Sequence, residues 1–330
     1  MAITLNEELE RSKFESPVAP GAIFLCPGQG AQYRGLLDPW LTTARANEMC
    51  DRWSRAIGLD LRAVSRDRAA LEDTAIVQPL ITAASLLAFE ALSHEVWFDR
   101  SRSAVLGHSV GELAASAIAG FYSFDTAMSI ARSRGLRMAE CCSAQATGML
   151  ALMPSRKNPA SSEEIVRIAA ASPDVEIANI NGAGQVVVAG SSEGIESFEL
   201  SLGRNVRAVH LDVAGAFHSQ YMEPARVAFA RDLEIIKFGD NLPSRPTFYS
   251  NFDGAVVHRG ADLKNRLCNQ IVSPVRWDKC MESADSTSRS LHVIELAPGT
   301  SYGKLWARHH GPESRQVFSL DGDFNRLTRR

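Results

Sequence analysis

"AVLGHSVGELAAS", residues 104–116, decides the fold. A short apolar run ends at Gly107, a serine stands between two glycines, and helix formers fill nearly every position that follows. Gly107-His108-Ser109-Val110-Gly111 fits G-x-S-x-G, in which a strand ends, the chain turns sharply and a helix begins with the serine hydroxyl at the turn. The glycines let backbone pass close behind the serine, where a Cβ would collide. The same residues allow a plainer reading, with Ser109 as the N-cap of a helix from Val110 to Ala119. The rest of the chain has to separate the two.

The flanking sequence supplies the strand and helix context. "GAIFLCPGQGAQ" (21–32) reads as a buried strand, Ile23 to Cys26, that breaks into a glycine turn at Pro27-Gly28. Residues 75–98 carry apolar side chains at helical spacing and predict a long buried helix after Pro79. A further helix is expected from Phe124 to Cys142. Past Ala146 the pattern changes. "TGMLALM" reads as a strand and "SSEEIVRIAAAS" as a helix with Ser161 or Ser162 and Glu164 as a capping box. "VEIANINGAGQVVVAGS" reads as two strands joined at an Asn181-Gly182 turn, followed by another helix and the strand "VRAVHLDV". That βαββαβ order predicts a ferredoxin-like insert at 147–212. The host is a larger α/β domain, residues 21–146 and 213–330, preceded by a disordered extension at 1–20.

Composition narrows the function classes. Of 330 residues, 45% are hydrophobic and 22% charged, as in an ordinary globular chain. A formal net charge of -3 gives no reason to expect nucleic acid as a partner. No run approaches about 18 uninterrupted apolar residues, so no membrane is expected, and the N-terminus lacks the apolar core of a secretory signal. The six cysteines form no C-x-x-C pair, which points away from metal sites and disulfide frameworks and towards a reducing cytoplasm.

A serine nucleophile needs a base. Among eight histidines, His94 falls in the long helix and His108 is too close in sequence to turn onto Ser109. His218 stands in a loop, "VAGAFHSQYM", where Ala214, Gly215 and Ala216 allow close approach to another backbone.

Eight markers occur in order along residues 21–310: "PGQGAQ" at 27–32, "QPL" at 78–80, "GHSVGE" at 107–112, "RSRGLRM" at 132–138, "NINGAGQVVVAG" at 179–190, "GAFH" at 215–218, "NQIVSPVRW" at 269–277 and "ELAPG" at 295–299. With them the sequence resembles malonyl-CoA:acyl carrier protein transacylases, and more widely the acyltransferase domains of fatty-acid and polyketide synthases. Two departures are visible: the long N-terminal extension, and Leu296-Ala297-Pro298-Gly299 where the family usually has V-G-P-G. The resemblance implies an α/β-hydrolase-like large domain with the ferredoxin-like insert. It implies malonyl-CoA and acyl carrier protein as partners, no cofactor, and a monomer.

It also implies roles. Ser109 matches the nucleophile and His218 the general base. The backbone N–H groups of Gln29 and Val110 match the oxyanion hole, and Arg134 the clamp on the substrate carboxylate. Gln270 matches the residue whose main-chain carbonyl orients the histidine, and Gln78 a pocket residue near the acyl group. Phe217, the aromatic before the base, goes with malonyl over methylmalonyl. Without the family, Arg134 would pass for a solvated residue in a basic run, and Gln78 and Gln270 for ordinary polar side chains. Lys264, Arg266, Lys304 and Arg308 are expected at a basic surface for the acidic carrier protein. Two rival classes stay open: a serine esterase with His292 or His309 as its base, and a docking module that binds carrier protein without chemistry.

Overall fold

Two five-stranded sheets organise the chain. The structure, a computed structural model, describes residues 21–96, 98–142, 146–287, 292–311 and 314–328; the extension expected at 1–20 lies outside them. The first half runs β1 (Ala22–Cys26), α1 (Ala44–Ile57), α2 (Leu61–Ser65), α3 (Thr74–Glu95), β2 (Ala104–Gly107), α4 (Gly111–Ile118), α5 (Phe124–Cys142), β3 (Thr147–Pro154) and α6 (Ser162–Ala171). Then come β4 (Val175–Gly182), β5 (Gln185–Ser191), α7 (Ser192–Ser201), β6 (Val206–His210), α8 (Glu223–Glu234), β7 (Thr247–Tyr249) and α9 (Gly260–Asn269). The last are β8 (Val275–Arg276), α10 (Trp277–Thr287), β9 (His292–Glu295), α11 (Ser301–His310), β10 (Gln316–Ser319) and α12 (Leu320–Thr328).

The first sheet has the order β10-β9-β1-β2-β7, and every pairing in it is parallel. Parallel strands covered on both faces read as unbroken apolar runs, and β1 and β2 are buried along their whole length. The chain leaves β1 for β2 and β7 on one side and later for β9 and β10 on the other. Ligand crevices form outside the carboxyl ends of strands at such a reversal. Gln29 after β1, Ser109 after β2 and Asn251 after β7 all stand at that edge.

Helix α3 begins at Thr74, capped by Asp73, whose carboxylate accepts from Ala75 N at 2.8 Å. It therefore starts ahead of Pro79, not after it. A proline removes the hydrogen bond to the carbonyl four residues back, here Ala75 O. Arg132 on α5 donates to that oxygen at 2.8 Å, so the helix runs through the proline with no acceptor wasted. By length and composition α3 is apolar enough to cross a membrane, although Gln78, Pro79, Thr82 and Ser85 break its apolar run. Inside the protein 83% of that stretch is buried, as befits a core helix.

The second sheet has the order β6-β3-β5-β4-β8. Its first four strands pair antiparallel and come from the predicted βαββαβ stretch. The fifth, β8, lies beyond that stretch and pairs parallel with β4, Asn179 against Val275. The hairpin turn differs from expectation. It falls on Ala183-Gly184, both left-handed at φ 50° and 76°, while Asn181-Gly182 ends β4. Two consecutive left-handed residues match the twist of the flanking strands, and Asn181 is left to point its side chain elsewhere. Ser161 caps α6 through Glu164 N at 3.1 Å, but the Glu164 carboxylate accepts from Asn205 and does not close the box.

Candidate active site

The turn between β2 and α4 allows little besides glycine at its flanks. A Cβ on Gly107 would lie 2.2 Å from Gly111 C, and one on Gly111 would lie 2.2 Å from Cys26 O. Ser109 sits between them at φ 52°, and His218 is held at φ 61°. Left-handed backbone costs a residue with a Cβ of order 1–3 kcal/mol and persists only where packing enforces it. Here two strained residues meet. Ser109 Oγ lies 2.7 Å from His218 Nε2, and His218 Nδ1 donates to Gln270 O at 2.8 Å. The carbonyl fixes the proton on Nδ1 and leaves Nε2 free to accept from the serine. Burial, then the positive charge of Arg134, lower the His218 pKa to about 3, so the imidazole is neutral and ready as a base.

Arg134 is 1% exposed. Its Nη1 donates to Gln78 Oε1 at 2.8 Å and its Nη2 to Gln270 Oε1 at 2.7 Å, with Ser109 Oγ at 3.3 Å from Nη2. Nε has no partner among the described residues. Burial lowers the pKa to about 10, against the pull of the Glu112 carboxylate, and the guanidinium stays charged at neutral pH. A cavity of about 570 Å³ opens over these groups, lined by Gln29, Val110 and Tyr302 from the segments that follow β1, β2 and β9, and by Asn179 and Val187 from the second sheet. Both Gln29 and Val110 N–H lack a backbone acceptor among the described residues. Both residues line the cavity with Ser109, and N–H donors of this kind can stabilise a developing oxyanion. A buried guanidinium whose Nε is unpaired can take a carboxylate. Among the described residues no group of three His, Cys, Asp or Glu is placed to hold a metal.

Residues 23–307 match the family described as the acyl transferase domain. The chain belongs to that family. It is 39% identical over 298 residues to the malonyl CoA-acyl carrier protein transacylase of Mycobacterium tuberculosis, covering 89% of this chain and 95% of the relative. It is 35% identical to the protein of the same name from Mycolicibacterium smegmatis, over 87% of this chain and 99% of the relative. The crystal structure of MCAT from Mycobacterium tuberculosis superposes with a TM-score of 0.83 at 32% identity, covering 93% of this chain and 99% of that one. The protein is an acyltransferase enzyme.

In this acyl transferase the sequence-predicted residues converge. Ser109, His218, Arg134, Gln78, Phe217, Gln29 and Val110 all line the one cavity, and Gln270 lies directly behind it. The histidines named for an esterase do not reach Ser109. His292 lies buried in β9, its ring against Phe318, and His309 bonds Ala183 N at 3.3 Å. His108 also lines the cavity, held by Asn181 Oδ1 at 2.9 Å. Of the four basic residues expected at a docking surface, Lys304 and Arg308 line the cavity. Lys264 is tied to Ile236 O at 2.8 Å, and Arg266 is paired with Asp253 at 2.5 Å. Those two have intramolecular tasks because their side chains fold back onto the α8 to α9 connection and the loop after β7.

Two further residues escaped sequence reasoning. Glu112 is fully buried in the first turn of α4 and accepts from Asn251 N at 2.6 Å and Gln270 Nε2 at 2.5 Å. Asn251, just after β7, donates from Nδ2 to Gly107 O at 2.8 Å and so ties the turn itself. A signal for Glu112 did exist: it carries the one charge in "GELAASAI", an otherwise uncharged helix.

Proposed function

We propose that this acyl transferase carries malonyl from malonyl-CoA to the phosphopantetheine thiol of acyl carrier protein, supplying fatty-acid synthesis. The carrying observation is the serine–histidine contact of 2.7 Å beside a buried arginine whose Nε is unpaired. His218 Nε2 takes the Ser109 proton as Oγ attacks the thioester carbonyl. The N–H groups of Gln29 and Val110 hold the oxyanion. Collapse breaks the C–S bond, and His218 returns its proton to the departing coenzyme A thiolate. A malonyl-serine ester remains. The carrier-protein thiol then gives its proton to His218, attacks the ester, and leaves as malonyl thioester while Ser109 recovers its proton. Gln270 O holds the imidazole throughout. Arg134 pairs with the malonyl carboxylate, and Gln78 keeps Arg134 in place. Phe217 is 6% exposed on the cavity wall and limits room at the α-carbon.

We read the all-parallel sheet as an α/β-hydrolase-like domain (21–146 and 213–330) and the βαββαβ stretch (147–212) as a ferredoxin-like insert. The strand order β6-β3-β5-β4 supports the second assignment. All six thiols are free, which suits a reducing cytoplasm.

Intact-mass spectrometry after incubation with malonyl-CoA tests the reading. The wild type should gain one malonyl unit, and addition of acyl carrier protein should discharge it. Ser109→Ala should gain none. A docking module would give no adduct in either protein. An adduct that persists in Ser109→Ala with normal turnover would remove the serine from the mechanism.

A further inference from the structure

Glu112 holds a buried carboxylate that the mechanism above leaves without a task. Its Oε1 accepts from Asn251 N and its Oε2 from Gln270 Nε2, at 2.6 and 2.5 Å. The other end of the same Gln270 amide, Oε1, accepts from Arg134 Nη2 at 2.7 Å. An amide has one donating end and one accepting end. A carboxylate can only accept and a guanidinium can only donate. One orientation of the Gln270 amide therefore satisfies both neighbours; Nε2 also faces Ser109 O at 3.2 Å and Asn251 Oδ1 at 3.3 Å, and the carboxylate, the nearest and the only charged acceptor of the three, dominates the choice. The second amide on Arg134, Gln78, presents its oxygen to Nη1 at 2.8 Å. Two amide oxygens thus hold the guanidinium plane, and only the Gln270 one is set by a charge.

The interposed amide has a second effect. If Glu112 touched Arg134 directly, it would fill the guanidinium edge that an acyl carboxylate needs. Acting through Gln270, it balances the buried charge and leaves Nε unpartnered beside the cavity. The hold on His218 runs through the Gln270 main-chain oxygen, not the side chain.

We propose that Glu112 is a positioning residue for acyl selection: its carboxylate orients the Gln270 amide, and that amide aims Arg134 at the acidic end of the acyl group. The proposal rests on the reading that Arg134 receives the substrate carboxylate.

Glu112→Gln tests it with almost no change of shape. The new Oε1 has to accept from Asn251 N, so the new NH2 faces Gln270 Nε2, donor against donor. Turning the Gln270 amide relieves that clash but points its NH2 at Arg134, which must move. The expected result is a fall of about 10- to 100-fold in kcat/KM for malonyl-CoA, the loss of one hydrogen bond to a charged group, carried mainly by KM. Acetyl-CoA has no carboxylate and should lose far less, so the malonyl-to-acetyl ratio should collapse. Equal losses for both substrates, or an unchanged ratio, would overturn the proposal. Arg134→Ala, assayed beside it, separates the two ideas. If Arg134→Ala shifts the ratio and Glu112→Gln does not, the positioning role alone fails; if neither shifts it, the carboxylate reading fails.

Should Glu112→Gln not fold, the wild type carries the test. Glu112 is faced by Arg134 from α5, Gln270 after α9, Ser250 and Asn251 after β7, Tyr122 after α4 and Cys280 from α10. Burial pushes the carboxyl up to about 7, while the Tyr122 phenol and Cys280 thiol are pushed further from ionising and Arg134 stays charged. Free carboxylates such as that of malonyl titrate near pH 4. The malonyl-to-acetyl ratio should therefore fall as pH drops from about 8 to about 6, across the Glu112 titration. A ratio that stays level over that range would overturn the proposal.

Discussion

Arg134→Ala is the substitution that most sharply divides a carboxylate-selecting transferase from a general thioesterase. The guanidinium is 1% exposed and sits 3.3 Å from Ser109 Oγ, so a carboxylate bound there leaves water behind almost completely. Removing one partner of a buried ion pair costs about 3 to 5 kcal/mol. At 1.4 kcal/mol per decade this is a loss of about 10²- to 10³-fold in kcat/KM for malonyl-CoA. Acetyl-CoA brings no charge to the pocket and escapes that penalty; it gains where an apolar group no longer faces a desolvated cation. The fold itself loses less than the pair energy suggests. Without Arg134, Glu112 loses a charge that holds its pKa down, and it can take up a proton near neutral pH. Arg134→Lys should recover only part of the loss, because one ammonium cannot reach the Gln78 and Gln270 oxygens and still fork onto a carboxylate. The assay is kcat/KM for both thioesters with acyl carrier protein as acceptor, in a variant whose melting curve shows it folded. An unchanged malonyl-to-acetyl ratio would refute the reasoning.

Three other outcomes can be measured. Phe217→Ser should open space beside the α-carbon and shift preference towards methylmalonyl-CoA by about 10- to 200-fold, the range that one methyl group supplies; a constant ratio of the two kcat/KM values would contradict it. With the His218 pKa lowered from 6.5 to about 3, acylation by acetyl-CoA should keep its rate as pH falls through 6.5, and an acid limb there would show the base titrating unperturbed. The same depression has a stability consequence. Between about 3 and 6.5 the unfolded chain binds a proton on this imidazole that the fold does not, so lowering the pH favours unfolding, and Tm should fall less steeply there in His218→Ala.

The turn at Ser109 was legible because two glycines bracketed it and both neighbouring elements had clear periodicity. Arg134 was harder. Flanked by Arg132 and Arg137 it resembles a solvated basic run, yet Ala127, Ala131 and Met138 share its helix face and are buried. Spacing of three, four and seven residues from apolar positions was the available signal. The Ala183-Gly184 turn was hidden for another reason. Asn181-Gly182 has the better turn chemistry, but pairing of Gly182 with Gln185 sets the register, and the Asn181 amide is taken by His108. Asn251 could not be ranked from local sequence, and the lone charge of Glu112 did not show what it holds, since both act through partners more than 100 residues away, as the 139-residue separation of Asn251 N and Glu112 Oε1 shows. Strand β8 is two residues long and has no periodicity to read.

That two-residue strand limits how far the protein can be treated as interchangeable modules. The small sheet gets its outer strand from Val275–Arg276, five residues after the Gln270 carbonyl that holds the imidazole. A chimera that exchanges only 147–212 with a relative would carry in four strands and dock them on a host residue pair that evolved against a different β4. The graft has to include the stretch from Gln270 to Arg276, and with it the carbonyl that holds His218. The cavity wall supplied by β4 and β5 and the carbonyl that holds His218 are therefore inherited together: recombination between relatives cannot trade one for the other without cutting the chain that joins them.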